Sequence, residues 1–157
     1  MSLFIFRKAG IDDIQILVEA RVDFLSEYWG AQEQTIADKL RAELQLFFET
    51  EIQANTYLCW IAMHENILVA IGGMKIIQKP GSFRVPDGRC GYIMNMYTTP
   101  EYRRRGLAKT ILEKLIEEGK AMGIHFFELH TTEDGEPLYI QNGFELHKEP
   151  TYRKFVW

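Results

Sequence analysis

The sequence predicts an α+β domain built on a mixed, mostly antiparallel β-sheet with about four flanking helices. A strand-like segment and two helix-like segments come first, and a run of three strand-like segments follows. A helix-like segment then leads into one more strand-like segment, and a crossover of that kind joins parallel strands. The other connections between strands are compatible with antiparallel pairing. One parallel pair within an otherwise antiparallel sheet is therefore expected.

The N-terminal third is expected to form one strand and two helices. The apolar run Leu3–Ala9 predicts the strand. Asp12 or Asp13 is expected to cap a first helix that ends near Trp29, because apolar residues recur there at helical spacing. The segment Thr35–Asp38 resembles a capping box and predicts the start of a second helix.

A hairpin with an unusual second strand is expected next. The segments Thr56–Met63 and Ile67–Gln78 are rich in apolar residues and are separated by a three-residue turn. Gly72 and Gly73 lie inside the second strand and indicate a bulge or a close approach of another chain segment. The loop Lys79–Arg89 that follows contains two prolines and two glycines, and long loops of this kind are often functional.

The C-terminal half is expected to hold the parallel pair and a closing hairpin. Its predicted strands and helices are a strand over Gly91–Thr98, a helix over Leu107–Gly119, a strand over Ile124–Thr131, a short helix over Glu136–Gln141 and a final hairpin of Phe144–Glu149 with Tyr152–Val156. Pairing of the last strand with a second copy of the chain is left open, because an edge strand offers unpaired backbone groups.

The composition narrows the classes of function. The chain has 157 residues, which is most simply one domain over residues 1–157, and a net charge of −4, which gives no overall attraction for nucleic acid. Cys59 and Cys90 have no metal-ligand spacing, and the histidines are scattered, so no metal site is expected. No apolar segment is long enough to cross a membrane, and no signal peptide is recognised at the start. A cytoplasmic protein without a membrane partner is the resulting expectation.

The segment Arg103-Arg104-Arg105-Gly106-Leu107-Ala108 is the strongest indication of function. It lies between a predicted strand and a predicted helix. The first N–H groups of a helix have no acceptor within it, and the helix dipole favours negative charge there. Glycine allows a close approach of the backbone, and arginine matches phosphate oxygens with forked donors. The segment therefore predicts a binding site for a phosphorylated small molecule.

Two motifs carry a resemblance to a known family. The run from Tyr92 to Ala108 resembles the acetyl-CoA signature of the GCN5-related N-acetyltransferases, Gln/Arg-x-x-Gly-x-Gly/Ala, with Arg103, Gly106 and Ala108 at its three fixed positions. The run from Leu138 to Phe144 resembles the family's Leu-Tyr-x-x-x-Gly-Phe at the expected distance downstream. The predicted strand order agrees with this family over nearly the whole chain. The resemblance implies the family's sheet, in which a central pair of parallel strands splays apart.

The resemblance also implies acetyl-CoA as a co-substrate and a set of residues that bind it. The splayed strands would admit the pantetheine arm of CoA, which would pair with one of them like an added strand. The backbone groups implied for that arm are those of Met96, Tyr97 and Thr98. The residues implied for the diphosphate are Arg103, Arg104, Arg105, Gly106, Leu107 and Ala108. Thr132 stands where many members have asparagine and completes the implied cofactor-binding set.

Three side chains are candidates for the chemistry. Tyr139 matches the tyrosine often assigned to protonate the leaving thiolate, but a phenol pKa of about 10 lies above a thiol pKa of about 8.5, so it could instead only donate a hydrogen bond. Glu128 and His130 share one face of a strand, and either could accept the proton of the amine, directly or through water. Each also has a structural alternative, which is a packed aromatic for Tyr139, a structural histidine for His130 and a simple ion pair for Glu128.

The predicted function is transfer of an acetyl group from acetyl-CoA to a primary amine, by direct attack in a ternary complex. A small-molecule acceptor is expected, with the first two helices and the loop Lys79–Arg89 around it. The alternatives are a CoA-binding sensor without turnover, a protein or peptide N-acetyltransferase, and a phosphate-binding module unrelated to CoA.

Overall fold

The computed structural model describes residues 3–157, so Met1 and Ser2, which begin the segment considered above as a signal peptide, lie outside the described residues. The chain forms five strands and four α-helices, with single turns of 3₁₀ helix at Ile11–Asp13 and Pro100–Tyr102. The strands are β1 (Ile5–Lys8), β2 (Tyr57–His64), β3 (Ile67–Gln78), β4 (Arg89–Thr98) and β5 (Phe127–Leu129). The helices are α1 (Ile14–Trp29), α2 (Gln34–Gln53), α3 (Leu107–Ala121) and α4 (Glu136–Gln141).

The five strands form one sheet in the order β1-β2-β3-β4-β5. The first four pair antiparallel in sequence, and β4 pairs with β5 in parallel. Helix α3 provides the crossover between the parallel strands. The predicted mixed, mostly antiparallel sheet with four helices is confirmed, but its parallel pair, expected at the centre, lies at one edge of the described sheet because no strand follows α4 within residues 3–157.

The two faces of the sheet bury separate apolar cores. On one face α3 and α4 pack against the sheet, and the most buried side chains there include Ile111, Leu115 and Ile93. On the other face α1 and α2 cover the sheet around Leu17, Phe48 and Tyr57. Leucine, isoleucine and phenylalanine at helical spacing supply these contacts, as the amphipathic pattern of α3 predicts. The sheet is thus covered on both faces, and its β4–β5 end remains accessible.

The predicted bulge lies between β3 and β4. The pairing shifts between Ile71 with Tyr97 and Gly73 with Met94, so β4 carries one residue more than β3 over this stretch. Asn95 in the extra stretch has a φ of 56°, in the left-handed region. A Cβ on Gly73 would lie 1.9 Å from the Tyr57 hydroxyl, so the close approach at this glycine is made by a side chain and not by backbone.

Three predictions about local structure are wrong. No strand follows α4 within residues 3–157, so the hairpin of Phe144–Glu149 with Tyr152–Val156 does not form, and this segment is irregular and mostly exposed. Thr35 lies inside α2, which begins without a side-chain cap at Glu33, so no capping box exists there. The carboxylate of Asp13 accepts from Arg7 and from the amide of Gly10 instead of capping α1.

Candidate active site

The turn before α3 leaves a run of backbone amides without acceptors. Arg104 and Gly106 both have left-handed φ angles, 60° and 78°, which rotate the turn out of the helical path. The first internal hydrogen bond of the helix runs from the amide of Thr110 to the carbonyl oxygen of Gly106. Within residues 3–157 nothing accepts from the amides of residues 104–109, and no side chain caps the helix. Six free donors at a helix N-terminus form a site suited to a multiply charged anion.

The three arginines of this turn have different surroundings. Arg103 donates to the carbonyl oxygen of Thr98 and lies 2.5 Å from a carboxylate oxygen of Glu27 on α1. Arg105 donates to the carbonyl oxygen of Glu101, with its guanidinium over the ring of Tyr102. Arg104 is exposed and makes no side-chain hydrogen bond or ion pair with any residue in the described range. Arg104 is therefore the cation of the turn that is not engaged elsewhere in the chain.

Strand β4 has a free side next to this turn. It pairs with β5 over three positions only, Gly91 with Phe127, Tyr92 with Glu128 and Ile93 with Leu129. Beyond Ile93, β4 continues to Thr98 with β3 on one side and no strand from residues 3–157 on the other, so Met96, Tyr97 and Thr98 lie along an open edge. A strand edge with unpaired backbone groups accepts an extended ligand in the way it would accept another strand.

Tyr139 lies on α4, on the α3 side of the sheet. The side chain is only 7% exposed, and its ring meets the ring of Phe144 edge to face, with centroids 5.8 Å apart. Its hydroxyl makes no hydrogen bond within the described chain, yet no buried polar atom there lacks a partner, so the hydroxyl must contact solvent. Burial raises the pKa of Tyr139 to about 12. The phenol is thus neutral at physiological pH and free to donate a hydrogen bond.

Glu128 and His130 lie on the opposite face of β5 from Tyr139. Leu129 between them packs in the α3 core, and side chains alternate along a strand. The Nδ1 atom of His130 is 2.5 Å from the Tyr92 hydroxyl oxygen, and His130 is exposed. Lys79 of the 79–88 loop donates to Glu128 at 3.0 Å, which raises the pKa of Lys79. Glu128 and His130 both lie near Tyr92, and the carboxylate of Glu128 is already paired with Lys79.

Thr132 contributes to the start of α4. Its Oγ1 and its carbonyl oxygen both accept from the amide of Gly135, and the carbonyl also accepts from Glu136. These hydrogen bonds stabilise the segment that enters α4, although Gly135 and Pro137 are poor helix formers. The position of Tyr139 on a formed helix follows from this turn.

Other expectations concern cysteines, metals and membranes. Cys59 and Cys90 are both free thiols with 1% and 0% exposure, and Cys90 is buried in β4. Residues 3–157 contain no cluster of three metal-ligating side chains. None of the helices in that range is both long and apolar enough to span a bilayer.

Four residues near the site were missed by sequence reasoning. Glu27 binds Arg103, Lys79 binds Glu128, and Tyr92 contacts His130. Asn95 donates to the buried hydroxyl of Tyr57 at 2.9 Å. The only sequence signal for any of them was the polar Asn95 within an apolar strand, which is typical of a bulge. The other three depend on contacts between residues at least 38 positions apart, which no local pattern contains.

Comparison with known proteins identifies the family. The family model of the acetyltransferase (GNAT) family matches residues 19–144. A structure from Clostridium acetobutylicum, described as a predicted acetyltransferase with acetyl-CoA, is 31% identical, covers 97% of this chain and 96% of its own, and superposes with a TM-score of 0.89. A GCN5-related N-acetyltransferase structure from Ralstonia eutropha has the same fold at 24% identity and a TM-score of 0.84, with coverage of 97% of this chain and 99% of its own.

A curated relative adds a shorter match. An uncharacterized N-acetyltransferase of Escherichia coli, YedL, is 29% identical over 94 residues, which cover 57% of this chain and 54% of that protein. The match thus spans about half the length of the curated relative. Taken with the family model and the structures, these findings place the chain: it belongs to the acetyltransferase (GNAT) family. The predicted family and fold are confirmed.

Proposed function

We propose that this protein transfers the acetyl group of acetyl-CoA to the primary amine of a small molecule, by direct attack within a ternary complex. The observation that carries the proposal is the run of six unbonded amides at residues 104–109 beside the open edge of β4. The amides fit a diphosphate, and the edge fits the extended amide-containing arm that follows it in CoA. The Clostridium acetobutylicum structure, whose description includes acetyl-CoA, supports the same co-substrate.

The contributions of the turn residues differ in this proposal. The amides of Arg104, Arg105, Gly106, Leu107 and Ala108 bind the diphosphate oxygens, and the side chain of Arg104 adds a forked donor. Arg103 positions the turn and does not bind the diphosphate itself, because its guanidinium donates to Glu27 on α1 and to the carbonyl oxygen of Thr98 on β4. The backbone of Met96, Tyr97 and Thr98 binds the pantetheine arm. Thr132 contributes through the start of α4.

The acetyl transfer itself needs a donor near the sulfur and an acceptor for the amine proton. Attack of the amine on the thioester carbon breaks the C–S bond and releases a thiolate. A pKa of about 12 for Tyr139 against about 8.5 for a thiol makes full proton transfer uphill by several units, at about 1.4 kcal/mol per unit. Tyr139 therefore stabilises the leaving sulfur by donating a hydrogen bond.

His130 is the proposed base, and Glu128 is the proposed support. The carboxylate of Glu128 accepts from Lys79, so its charge is already balanced. His130 is exposed at the end of β5, where its Nδ1 contacts Tyr92 and its Nε2 lies 3.5 Å from the Thr151 hydroxyl oxygen, long for a hydrogen bond. The imidazole thus has a nitrogen that a nearby amine or a water molecule can reach.

The function is tested by following CoA release with a panel of primary amines, together with calorimetric binding of acetyl-CoA. Turnover of at least one small amine and saturable binding of acetyl-CoA are expected. Binding without turnover of any small amine or peptide would favour a CoA-binding sensor. Turnover of peptides alone would favour a protein acetyltransferase. Stabilisation by ATP but not by acetyl-CoA would favour a phosphate-binding module.

A homodimer is part of the proposal. Strand β5 is an edge strand, and the tail beyond Pro150 exposes Tyr152, Phe155 and Trp157 at 89%, 71% and 104%. An exposed strand edge and an exposed aromatic tail on one side of the molecule suit pairing with a second copy. Light scattering after size exclusion, with and without residues 151–157, tests it, and a monomer at all concentrations would contradict it. The single domain, the cytoplasmic location and the lack of nucleic-acid partners stay predictions.

A further inference from the structure

Arg21 on α1 is a half-buried cation without a counterion. Its guanidinium makes no hydrogen bond and no ion pair with any residue in the range 3–157. The other arginines of that range are either exposed or bonded. Arg41 and Arg89, which are half-buried like Arg21, bind Glu19 and the carbonyl oxygen of Met122. Arg21 thus differs from the other two arginines that are half-buried.

The guanidinium of Arg21 faces space that is open to solvent. No buried side-chain nitrogen or oxygen in the described chain lacks a partner, so the unbonded nitrogens of Arg21 must each contact solvent. Burial lowers the pKa of Arg21, and within residues 3–157 the one titratable neighbour that opposes this is the hydroxyl of Tyr57, which is itself uncharged at neutral pH because burial raises its pKa. A partly desolvated cation with free donors gains most from an anion that enters with its own hydrogen-bond acceptors.

The surroundings of Arg21 connect it to the open edge of β4. Its guanidinium carbon is 5.4 Å from the ring centroid of Phe24, and that ring lies 5.8 Å from the ring of Tyr97 on β4. Tyr57, which is close enough to Arg21 for the charge effect, accepts a hydrogen bond from Asn95 at the β4 bulge. Arg21 therefore lies on the α1 side of the same stretch of β4 that the proposed function assigns to the pantetheine arm.

We propose that Arg21 binds a carboxylate of the acceptor, so that the acceptor is an amine that also carries a carboxylate, as amino acids do. The inference rests on the proposed function, because an acceptor is defined only if acetyl-CoA is the donor. Forked donors of arginine match the two oxygens of a carboxylate. A phosphate would carry nearly two charges, and no second cation is close enough to Arg21 to affect its pKa. One guanidinium therefore matches one carboxylate.

The inference is tested with matched acceptors and three variants. The acceptors are amino acids, their amides and their decarboxylated amines, for example lysine, lysinamide and cadaverine, or phenylalanine, phenylalaninamide and phenethylamine. Phosphoethanolamine and ethanolamine are compared in the same way, as a pair with and without a phosphate. The variants are Arg21→Gln, Arg21→Lys and, as the control, Arg41→Gln, since Arg41 is also half-buried but already paired on α2. For each, kcat and KM are measured, and acetyl-CoA binding is measured by calorimetry.

The expected result is a preference of at least tenfold in kcat/KM for carboxylate-bearing acceptors over their amides and amines. Arg21→Gln should abolish that preference, mainly through KM, and Arg21→Lys should retain part of it. Arg41→Gln should leave it unchanged. Acetyl-CoA affinity should be the same in all four proteins. Because Arg21 has no hydrogen-bond or ion-pair partner in the described chain to lose, only its contact with the Phe24 ring, Arg21→Gln should unfold within a few degrees of the parent protein.

Several outcomes would overturn the inference. The first is an equal kcat/KM for amino acids and for the matching decarboxylated amines. The others are a preference for amino acids that survives Arg21→Gln, and a preference for phosphoethanolamine over amino acids. If no acceptor is turned over, binding of the same amino acids to the acetyl-CoA complex is read from the unfolding temperature, and the lack of an Arg21-dependent shift would refute it. Failure of the protein to bind acetyl-CoA at all would instead refute the proposed function, so the two failures are distinguishable.

Discussion

Arg103 and Glu27 join the turn before α3 to the first long helix. The guanidinium nitrogen of Arg103 lies 2.5 Å from the carboxylate of Glu27, and the same carboxylate accepts from the hydroxyl of Tyr97. Arg103 also stacks over the ring of Tyr97. A residue at a fixed position of the acetyl-CoA signature thus fastens the turn to α1 and β4. It sets where the free amides of the turn lie relative to the β4 edge.

Replacing Glu27 with Gln should weaken acetyl-CoA binding without affecting the fold. Both partners are about 40% exposed, and exposed ion pairs contribute about 0.2–1 kcal/mol, so the Kd should rise by up to about fivefold. Calorimetry with acetyl-CoA measures the change. Glu113→Gln on α3, which removes the exposed Lys109–Glu113 pair, is the control and should leave the Kd unchanged. Equal effects of the two variants would show that the ion pair does not position the turn.

Replacing Gly106 with Ala should reduce the affinity for acetyl-CoA by about tenfold or more. The φ of 78° costs a non-glycine residue about 1–2 kcal/mol, and the added methyl group enters open space at the turn where the anion is proposed to bind. Titration of acetyl-CoA by calorimetry measures the loss.

Gly123→Ala is the matched control for Gly106→Ala. Gly123 has a φ of 77° at the other end of α3, and a Cβ there would meet only a guanidinium nitrogen of Arg89, at 3.6 Å. The two variants should lose similar stability to urea, since the backbone strain is the same. Only Gly106→Ala should lose affinity. A comparable loss of acetyl-CoA affinity in Gly123→Ala would mean that backbone strain, and not the methyl group placed where the anion is proposed to bind, weakens binding.

Replacing Tyr139 with Phe should lower kcat while the Kd for acetyl-CoA stays the same. The hydroxyl has no partner in the described chain, so its removal leaves no buried group unsatisfied. A loss of about ten- to a hundredfold in kcat is expected for one hydrogen-bond donor at the leaving sulfur. Steady-state kinetics and calorimetry separate the two effects. An unchanged kcat would reduce Tyr139 to a packed aromatic residue.

The same substitution should flatten the loss of stability at high pH. Burial raises the pKa of Tyr139 from about 10 in the unfolded chain to about 12, so between these values the native state keeps a proton that the unfolded state has lost. Stability must then fall as pH rises, by about 1.4 kcal/mol per pH unit for this group. Urea unfolding at pH 9, 10 and 11 should show a steeper fall in the parent protein than in Tyr139→Phe. Parallel slopes would contradict the raised pKa.

Replacing Gly73 with Ala should destabilise the protein by about 1–3 kcal/mol, because a Cβ would lie 1.9 Å from the hydroxyl of the fully buried Tyr57. Activity should fall as well, since Tyr57 holds Asn95 at the β4 bulge. Gly10→Ala is the control, because a Cβ there meets nothing within 4 Å and its φ is ordinary. Urea unfolding measures both, and a tolerated Gly73→Ala would mean that β3 can move away from Tyr57.

Replacing His130 with Gln should lower kcat far more than replacing Glu128 with Gln. Glu128 is already paired with Lys79, whereas His130 presents a weakly engaged nitrogen. General bases contribute about 10²–10⁴-fold, so a loss of that order is expected for His130→Gln. The pH dependence of kcat in both variants identifies the group, since loss of the base removes the acidic limb. The reverse order of effects would assign the base to Glu128.

The fold could be predicted because its signals are local, and the anion-binding turn stays a prediction that rests on a signal of the same kind. Gly106 lies after three arginines and before an amphipathic helix, and this six-residue segment predicts a phosphate-binding turn. The proposed role of Tyr139 is predicted by a separate local motif. In the same way, the helix between the predicted strands Gly91–Thr98 and Ile124–Thr131 predicted that these strands pair in parallel.

The contacts that arrange the site could not be predicted, because they join distant parts of the chain. Glu27 meets Arg103 across 76 positions and Lys79 meets Glu128 across 49. The hairpin predicted after α4 shows that a local pattern can also predict a strand that does not form. The sequence predicts Tyr152–Val156 as one strand of a hairpin around Pro150, but a strand needs a partner, and the tail has none within residues 3–157. The capping box at Thr35 failed because a local motif did not decide where α2 begins.

The burial of both cysteines makes this protein convenient to assay. Cys59 and Cys90 are 1% and 0% exposed, and burial raises the pKa of each thiol, so neither offers a reactive thiolate in the native state. A colorimetric reagent for free sulfhydryls should therefore report the released CoA with almost no background from the enzyme. The same reagent should register two equivalents per chain once the protein is denatured, which gives an internal calibration of the total chain concentration.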